Sequence, residues 1–311
     1  MTVYKLPEMT ETAVPDRPLS VALGNFDGVH TGHRRLLSAA VEAAKQTGDC
    51  VPAVWTFHSL VKEGPPIPCL TDRQEKLRQF AAAGIRYAIF EDFDAVRHMK
   101  PMEFVSDYLL RKLGCAAAVC GFNFRFGYGG AGDADQLREL LSAARVPVTV
   151  IPPVMNGTGI VSSTRIRRAV AEGDMDTARV LLGRYFSICF PVLHGKELGR
   201  TIGLPTINQD FPEGHIIPRG GIYACICHVG DRRYAGVSNV GMRPSVPGDG
   251  HVNCETHIID YSGILYGKSI RVEFCCRLRD EKKFDSIEEL RQAIEDDVCR
   301  TRAYFAEIPI G

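Results

Sequence analysis

Residues 24–33 read Gly24-Asn25-Phe26-Asp27-Gly28-Val29-His30-Thr31-Gly32-His33 and join an apolar run to a helical pattern. The apolar run, residues 19–24, predicts a buried strand, and residues 32–46 predict a helix. A strand that turns directly into a helix is the unit of doubly wound parallel sheets. We therefore expect a ligand site where this first strand ends, because open α/β sheets bind ligands at the carboxyl ends of their strands.

Phosphate binding is the chemistry that this turn indicates. A helix N-terminus presents free N–H groups and the positive end of the helix dipole, and glycines allow close backbone approach. His30 and His33 are three residues apart, so both imidazoles can point into one site and donate to phosphate oxygens. The alternatives are a tight turn with one structural histidine, or a zinc pair, for which no third ligand cluster is found. The other candidate nucleotide-binding residues of this turn are Gly24, Phe26, Asp27 and Gly28.

The rest of the N-terminal half alternates between strand and helix patterns. Strands are predicted at residues 50–57, 86–90, 115–122 and 146–151, and helices at residues 72–83, 101–113 and 133–144. Strands separated by helices of this length predict βαβ units and a parallel sheet. We expect a helical pair near residues 164–182 and place the boundary between domains 1–184 and 185–311.

The C-terminal half is instead predicted to consist of short strands separated by turns. Strands are predicted at residues 186–194, 221–229, 233–239, 252–260 and 268–278. Glycine and proline turns separate them and few helical patterns intervene, so we expect a small antiparallel β-barrel. Ser286 and Glu289 form a capping box before apolar residues at helical spacing, which predicts a closing C-terminal helix.

Composition excludes several classes of protein. Lys+Arg and Asp+Glu are both 37, and neither half carries a basic excess, which argues against nucleic-acid partners and a polybasic membrane anchor. Residues 1–18 contain no signal-peptide pattern, and the longest uncharged run, residues 146–164, contains prolines that make it a poor membrane span. The 11 cysteines form no C-x-x-C pair and favour free thiols in a reducing compartment. We therefore expect a cytoplasmic protein.

Three blocks of the N-terminal half occur together in one known family. They are the turn at residues 24–33, Gly121-Phe122-Asn123-Phe124-Arg125-Phe126-Gly127, and Val161-Ser162-Ser163-Thr164-Arg165-Ile166-Arg167. The first resembles the H-x-G-H signature of nucleotidyltransferases. Together the blocks resemble the adenylyltransferase module of prokaryotic bifunctional riboflavin kinase/FAD synthetases. This resemblance implies that His30, His33, Ser163, Thr164 and Arg167 bind nucleotide phosphates, that Asn123 lies on the flavin-phosphate or ATP side, and that Asp27 braces the turn.

The C-terminal half resembles the riboflavin kinase module of the same family. The resemblance is carried by Gly199-Arg200-Thr201-Ile202-Gly203-Leu204-Pro205-Thr206-Ile207-Asn208, Asn239-Val240-Gly241-Met242-Arg243-Pro244-Ser245 and Cys254-Glu255-Thr256-His257-Ile258. It implies a flap with Gly199 and Gly203, magnesium ligands at Thr206 and Asn208, and a general base at Glu255. Pro205 and Arg243 are further candidate nucleotide contacts, with a structural salt bridge as the alternative for Arg243. Without the resemblance, residues 205–208 indicate an ordinary turn and Glu255 a surface glutamate.

The resemblance implies an enzyme that phosphorylates riboflavin to FMN and then adenylylates FMN to FAD. Its partners would be riboflavin, FMN, ATP and Mg²⁺, and the chain would be a monomer or a weak homo-oligomer. A kinase without adenylyl transfer is the first alternative, because the family's T-F-x-P-H-P stretch is replaced here by Thr56-Phe57-His58-Ser59-Leu60-Val61-Lys62. A flavin-sensing or storage module that binds nucleotides without turnover is the second.

Overall fold

Two compact units make up the chain in a computed structural model. The structure describes residues 1–58, 67–157, 159–195, 203–242, 252–308 and 310. The first unit comprises Met1–Ile67 and Thr71–Ser163, and the second comprises Pro68–Leu70 and Thr164–Gly311. The boundary predicted between residues 184 and 185 lies later in the chain, so residues 164–184 fall in the second unit.

The first unit is built from a sheet and the helices that connect its strands. Its strands are β1 (Thr2–Lys5), β2 (Thr10–Thr12), β3 (Leu19–Leu23), β4 (Val51–Phe57), β5 (Tyr87–Glu91), β6 (Cys115–Gly121), β7 (Val148–Ile151), and the hairpin β8 (Met155–Asn156) and β9 (Gly159–Ile160). Its helices are α1 (Thr31–Gln46), α2 (Arg73–Ala82), α3 (Phe93–Val96), α4 (Pro101–Glu103, continued by a wider helical segment at Phe104–Lys112) and α5 (Ala134–Ser142).

The sheet of the first unit confirms the predicted doubly wound architecture. Its seven strands have the order β2-β1-β5-β4-β3-β6-β7, and the five from β3 to β7 are parallel. The strand order reverses between β3 and β6, so the switch point lies where the turn at residues 24–33 leaves β3. Strands β1 and β2, which the sequence did not reveal, extend the sheet antiparallel beyond β5.

Helices cover both faces of this sheet, and each face has its own apolar core. Leu37 of α1 and Phe80 of α2 are fully buried against one face. Leu137 of α5 and Phe104 pack with Trp55 against the other. A parallel sheet buried on both faces requires strands that are apolar throughout, which explains the continuous burial of β3.

The second unit is formed by two helices, a sheet and a long final helix. Its elements are α6 (Ser163–Glu172), α7 (Met175–Leu182), β10 (Phe186–Pro191), β11 (Thr206–Asp210), β12 (Gly221–Val229), β13 (Arg232–Met242), β14 (Val252–Ile258), β15 (Ser269–Arg279) and α8 (Ile287–Glu307). The helical pair and the final helix lie where the sequence predicts them.

The sheet of the second unit curls into the predicted barrel-like form. Its six strands are antiparallel in the order β10-β15-β12-β13-β14-β11. The two edge strands approach each other, because the Leu193 N–H just beyond β10 donates to the Asn208 carbonyl at 2.8 Å. Inside, the buried Gln209 amide donates to the carbonyls of Phe190 at 2.6 Å and Ile270 at 2.8 Å. Residues 206–208 belong to strand β11, so the interpretation of residues 205–208 as an ordinary turn is wrong. The strand forms because it pairs with β14, which is distant in sequence.

Helix α8 packs on the outer face of this sheet. Val298 packs against Ile222 and Val237. The Arg279 guanidinium donates to the buried Asp297 carboxylate at 2.6 Å, so the helix is held by charge as well as by apolar contact. The helix begins at its predicted cap, where Ser286 Oγ accepts from the backbone N–H of Glu289 at 3.1 Å.

All cysteines lie within the described residues, and all 11 are free thiols. Burial raises the pKa of Cys120 to about 11 and that of Cys254 to about 12. These thiols therefore stay protonated and unreactive at neutral pH.

Candidate active sites

The turn at residues 24–33 has a strained backbone. Phe26 has a φ of 52° and Val29 a φ of 37°, in the left-handed region that residues other than glycine rarely adopt. Gly28 has a φ of 82°, which only glycine adopts without strain. Such conformations persist where surrounding contacts impose them, and they concentrate at functional sites.

Two side chains from other elements hold the backbone carbonyl of Asn25. Thr56 Oγ1 of β4 donates to it at 2.8 Å, and Lys76 Nζ of α2 donates at 3.0 Å. Thr56 is fully buried and Lys76 is only 6% exposed. A buried ammonium is favourable only when its donors are used, so this bond fixes both the lysine and the turn.

Two further hydrogen bonds hold the centre of the turn. Ser163 Oγ donates to the Asp27 carbonyl at 2.8 Å, and the Gly28 N–H donates to Thr71 Oγ1 at 3.1 Å. Asp27 is buried, with 4% of its surface exposed. Ser163, predicted as a phosphate ligand, is thus placed at the turn, and its hydroxyl is engaged with the backbone there.

Both predicted histidines lie at the N-terminus of α1. The His33 N–H donates to His30 Nδ1 at 3.2 Å, which makes His30 the cap of the helix. The two imidazole rings stack with centroids 3.6 Å apart and planes 13° apart. Gly32 accommodates this stack, since a Cβ there would lie 3.1 Å from the His30 ring. Because His30 Nδ1 accepts, the proton of the neutral ring is on Nε2.

Phe26 and Gly24 anchor the turn to the core. The Phe26 ring is fully buried between His33 and Phe80, with centroid distances of 5.1 Å and 5.6 Å. The Gly24 N–H donates to the Trp55 carbonyl at 3.2 Å. These contacts show packing roles for both residues at the base of the site.

Asn123 follows β6, the strand next to β3. It is exposed, in a turn where the Phe124 N–H donates to the Gly121 carbonyl at 3.0 Å. Because the carboxyl ends of neighbouring parallel strands share one sheet edge, Asn123 and the turn at residues 24–33 lie along the same edge. Thr164 and Arg167 belong to the second unit, where Arg167 Nε donates to the Pro68 carbonyl at 2.7 Å. Their binding of nucleotide phosphates stays a prediction.

The supporting side chains Thr56, Thr71 and Lys76 were missed by sequence reasoning. Each forms a hydrogen bond with the backbone of a residue at least 31 positions away along the chain. A local pattern carries no signal for such a contact, because the pairing exists only after the sheet has formed.

A second group of polar side chains lies on one face of β11, β13 and β14. In the strand register Glu255 stands opposite Asn208 on one side and Asn239 on the other. Asn253 Nδ2 donates to Asn208 Oδ1 at 3.1 Å and lies 3.3 Å from Glu255 Oε1. Residues two apart on a strand share a face, so these four side chains form one surface, the amide–carboxylate face.

Asn208 is held tightly within this face. It is only 6% exposed, and a Cβ on Gly195 would lie 2.5 Å from its Nδ2. Thr206 shares its face of β11, and His257, opposite Thr206, has Nδ1 2.9 Å from the Pro205 carbonyl. The predicted ligands Thr206 and Asn208 therefore lie together, and the neighbouring proline is fixed by a hydrogen bond.

A cavity of about 210 Å³ adjoins Thr206. Its lining includes Pro205, Ile207, Leu265 and Tyr266. Its walls are mainly apolar, with a few polar groups, as in pockets that bind planar organic ligands. Gly203, at the entrance to β11, has a φ of 79° and open space around it. The predicted contacts Gly199 and Arg243 lie outside the described residues.

Comparison with known proteins gives a family match for each half of the chain. The FAD synthetase family model matches residues 13–165, and the riboflavin kinase family model matches residues 182–305. Curated proteins named bifunctional riboflavin kinase/FMN adenylyltransferase are similar over most of their length. The Pseudomonas fluorescens protein is 36% identical (91% of this chain, 92% of its own), and the Bacillus subtilis protein is 32% identical (93% of each).

A solved structure described as a macrolide-efflux protein from Streptococcus pneumoniae is also similar. It has a TM-score of 0.82 and 29% identity, and the match covers 93% of this chain and 94% of that one. Among the described residues of this chain, no helix has the length and apolar character needed to cross a membrane.

Fold, sites and family matches together define a protein with two nucleotide-dependent transferase domains. The matches extend over nine tenths of each chain at more than three identical residues in ten. The chain belongs to the bifunctional riboflavin kinase/FMN adenylyltransferase family.

Proposed function

We propose that this chain phosphorylates riboflavin to FMN with its second unit and adenylylates FMN to FAD with its first. Support comes from the matches of both family models and from relatives named for both activities. The observation that carries the proposal is the presence in one chain of two polar sites, paired imidazoles at a helix N-terminus and a glutamate among amides. Both family domains are present, which favours the bifunctional interpretation over a kinase alone.

In the kinase reaction, Glu255 acts as the general base. Its carboxylate accepts the proton of the terminal ribityl hydroxyl, and that oxygen attacks the γ-phosphorus of ATP, with ADP as the leaving group. Asn253 orients the carboxylate, since its amide lies within hydrogen-bond distance of Glu255 Oε1. The cavity beside Thr206 suits the adenine base of ATP, because its apolar walls can sandwich a planar ring.

The donors near Asn208 fit a magnesium ion. Thr206 and Asn208 offer neutral oxygens on one face of β11, and Mg²⁺ typically combines a few protein oxygens with water and substrate phosphates. The described residues hold no group of three or more histidine, cysteine, aspartate or glutamate side chains that could hold a metal ion. When bound with ATP, the ion offsets the charge of the phosphates.

In the adenylyl transfer, a phosphate oxygen of FMN attacks the α-phosphorus of ATP and pyrophosphate leaves. No covalent intermediate on the protein is required. The backbone N–H groups at the start of α1 and the Nε2–H of His30 donate to the phosphates, with His33 stacked beside it. Asn123 on the same sheet edge is a further proposed phosphate contact. The resemblance of residues 161–167 to the family's third block assigns the same role to Thr164 and Arg167.

Three wider features belong to the same proposal. The boundary between the two activities lies between residues 184 and 185. The protein works in the cytoplasm, consistent with its 11 free cysteines. Its partners are small molecules, and it acts as a monomer or a weak homo-oligomer.

A time course with purified protein, riboflavin and MgATP tests this proposal. Chromatographic separation should show riboflavin consumed first, FMN rising and falling, and FAD accumulating last. FMN that accumulates without FAD would identify a kinase alone. Flavin binding with no consumption of ATP would identify a storage or sensing module. Omission of Mg²⁺, with chelator present, should stop both steps.

A further inference from the structure

Glu281 places a second carboxylate on the amide–carboxylate face. A Cβ atom on Gly241 would overlap this carboxylate, with Glu281 Cδ only 2.6 Å away. Gly241 follows Asn239 by two residues on β13, so its Cβ direction lies on the face that carries Asn239 and Glu255. The Gly241 backbone does not have a positive φ. Glycine at position 241 leaves room for the Glu281 carboxylate, which any side chain with a Cβ would displace.

The neighbours of this carboxylate are polar groups of the proposed kinase site. Asn253 stands opposite Gly241, and Glu255 stands opposite Asn239. Within the described part of the chain, Asn239 Oδ1 is buried without a hydrogen-bond partner. The Glu281 side chain is exposed, and its carboxylate has no hydrogen-bond or ion-pair partner among the same residues. Two hydrogen-bond acceptors, the Glu281 carboxylate and Asn239 Oδ1, therefore lie on the face that carries the proposed general base.

We propose that Glu281 positions the hydroxylated side chain of the flavin, accepting hydrogen bonds from its secondary hydroxyls while the terminal hydroxyl faces Glu255. This inference rests on the proposed kinase activity of the second unit. It assigns to the face a substrate class, alcohols that carry further hydroxyls on neighbouring carbons.

The chemistry of the acceptors supports this assignment. An ionised carboxylate only accepts hydrogen bonds, and it binds hydroxyl donors more strongly than a neutral oxygen does. Positions two residues apart on a strand are about 6.6 Å apart, a spacing that a chain of five carbons can span. The acceptors near Asn239 and Gly241 therefore suit the middle of such a chain when its end lies at Glu255.

The direct test replaces Glu281 and changes the ligand at the same time. Riboflavin is compared with a flavin whose side chain is 5-hydroxypentyl, which keeps the terminal hydroxyl and lacks the three secondary ones. Binding to the full chain is followed by flavin fluorescence, and phosphorylation by chromatography. In Glu281→Gln the preference for riboflavin over the hydroxypentyl flavin should fall about tenfold, since the acceptor loses its charge and forms a weaker hydrogen bond. The KM for riboflavin should rise, and kcat should fall by a smaller factor. The KM for MgATP should change by less than about twofold.

Two variants complete the design. Gly241→Ala should reproduce the loss of preference, because the added methyl displaces the carboxylate while keeping it in the protein. Glu288→Gln, at another exposed glutamate, should behave as the wild type. An unchanged preference in Glu281→Gln would overturn the proposal, as would a variant that keeps the preference and instead needs more Mg²⁺, the result expected of a metal ligand.

The outcomes separate this inference from the proposed function. If the wild type binds riboflavin selectively without phosphorylating it, and Glu281→Gln loses the selectivity, the proposed kinase reaction fails and the role of Glu281 stands. If the wild type forms FMN and Glu281→Gln keeps its preference, the proposed kinase reaction stands and the role of Glu281 fails.

Discussion

The two sites of this protein are built in opposite ways. The turn at residues 24–33 presents backbone groups in strained conformations, held by side chains such as Thr56 and Lys76 from other elements. The amide–carboxylate face presents side chains on strands of regular register, with Glu255 between Asn208 and Asn239. The first site depends on its surroundings for its shape, and the second depends on the identity of each side chain.

This difference sets how far a substitution acts. On a regular strand the backbone is fixed by ladder hydrogen bonds, so a changed side chain alters chemistry and leaves the scaffold in place. In a strained turn the backbone is fixed by contacts from outside, so removing a distant contact alters the site itself. Substitutions in and around each site test this contrast.

Glu255→Gln should give the largest loss. The variant keeps the shape and removes the proton acceptor, so FMN formation should fall about a thousandfold. Conversion of supplied FMN to FAD should stay within about twofold of wild type, since the first unit is untouched. Chromatography of flavin products from each starting flavin measures both rates.

The matched control is Glu213→Gln, at an exposed glutamate of the second unit, which should leave both rates unchanged. Loss of FAD formation in Glu255→Gln would mean that the two sites are not independent.

The double variant His30→Ala with His33→Ala should show the opposite pattern. Removing the imidazole donors and the helix cap should lower FAD formation from FMN about a hundredfold. Riboflavin phosphorylation should persist at the wild-type rate. His98→Ala, an exposed histidine of the same unit, serves as the control, and an intact FAD rate in the double variant would remove these histidines from the site.

Thr56→Val tests whether the turn depends on remote support. The substitution keeps the side-chain shape and removes the hydrogen bond to the Asn25 carbonyl, worth about 1 kcal/mol, so FAD formation should fall about fivefold to tenfold. Thr149→Val, at an exposed position of β7, is the matched control. If Thr56→Val alters thermal stability and leaves the FAD rate unchanged, the strained backbone does not need this contact for activity.

Glu273→Gln should have the smallest effect, confined to stability. Burial favours the neutral Glu273 carboxyl, but the hydrogen bond from His228 at 3.2 Å and the charge of Arg271 outweigh it and lower the pKa. Because the pKa of Glu273 is lower in the folded than in the unfolded state, its ionised carboxylate stabilises the fold at any pH above the unfolded-state pKa. This stabilisation is lost as the pH falls through the folded-state pKa. The variant should therefore be about 1 kcal/mol less stable near pH 7 and equal to wild type in strong acid.

Denaturant titrations between about pH 3 and pH 7 measure this difference in the free energy of unfolding. Both enzymatic rates should stay at wild-type level at neutral pH, because Glu273 lies on β15, away from the amide–carboxylate face. A stability difference between wild type and variant that widens in acid would show that the ionised Glu273 carboxylate does not stabilise the fold.

Most helices and strands, although not β1, β2 and β11, could be predicted from local patterns in the sequence. Periodicity located α1 and the final helix, turn residues separated the strands of the second unit, and glycines and histidines marked the turn after β3. These features are local, because helix periodicity, caps and turn residues act within a few positions of one another. The family blocks assigned Glu255 to one predicted site and the His30 and His33 pair to the other, and these roles stay predictions.

The residues that complete the turn at residues 24–33 and the amide–carboxylate face from distant parts of the chain are known only from the tertiary structure. Lys76 reaches the Asn25 carbonyl because α2 packs beside the sheet, and Glu281 reaches Gly241 of β13 from the segment that follows β15. Strand β11 exists because β14 offers it a partner, since the sequence of residues 205–208 alone favours a turn. Such contacts arise from packing between elements far apart in the chain, and no local pattern encodes them.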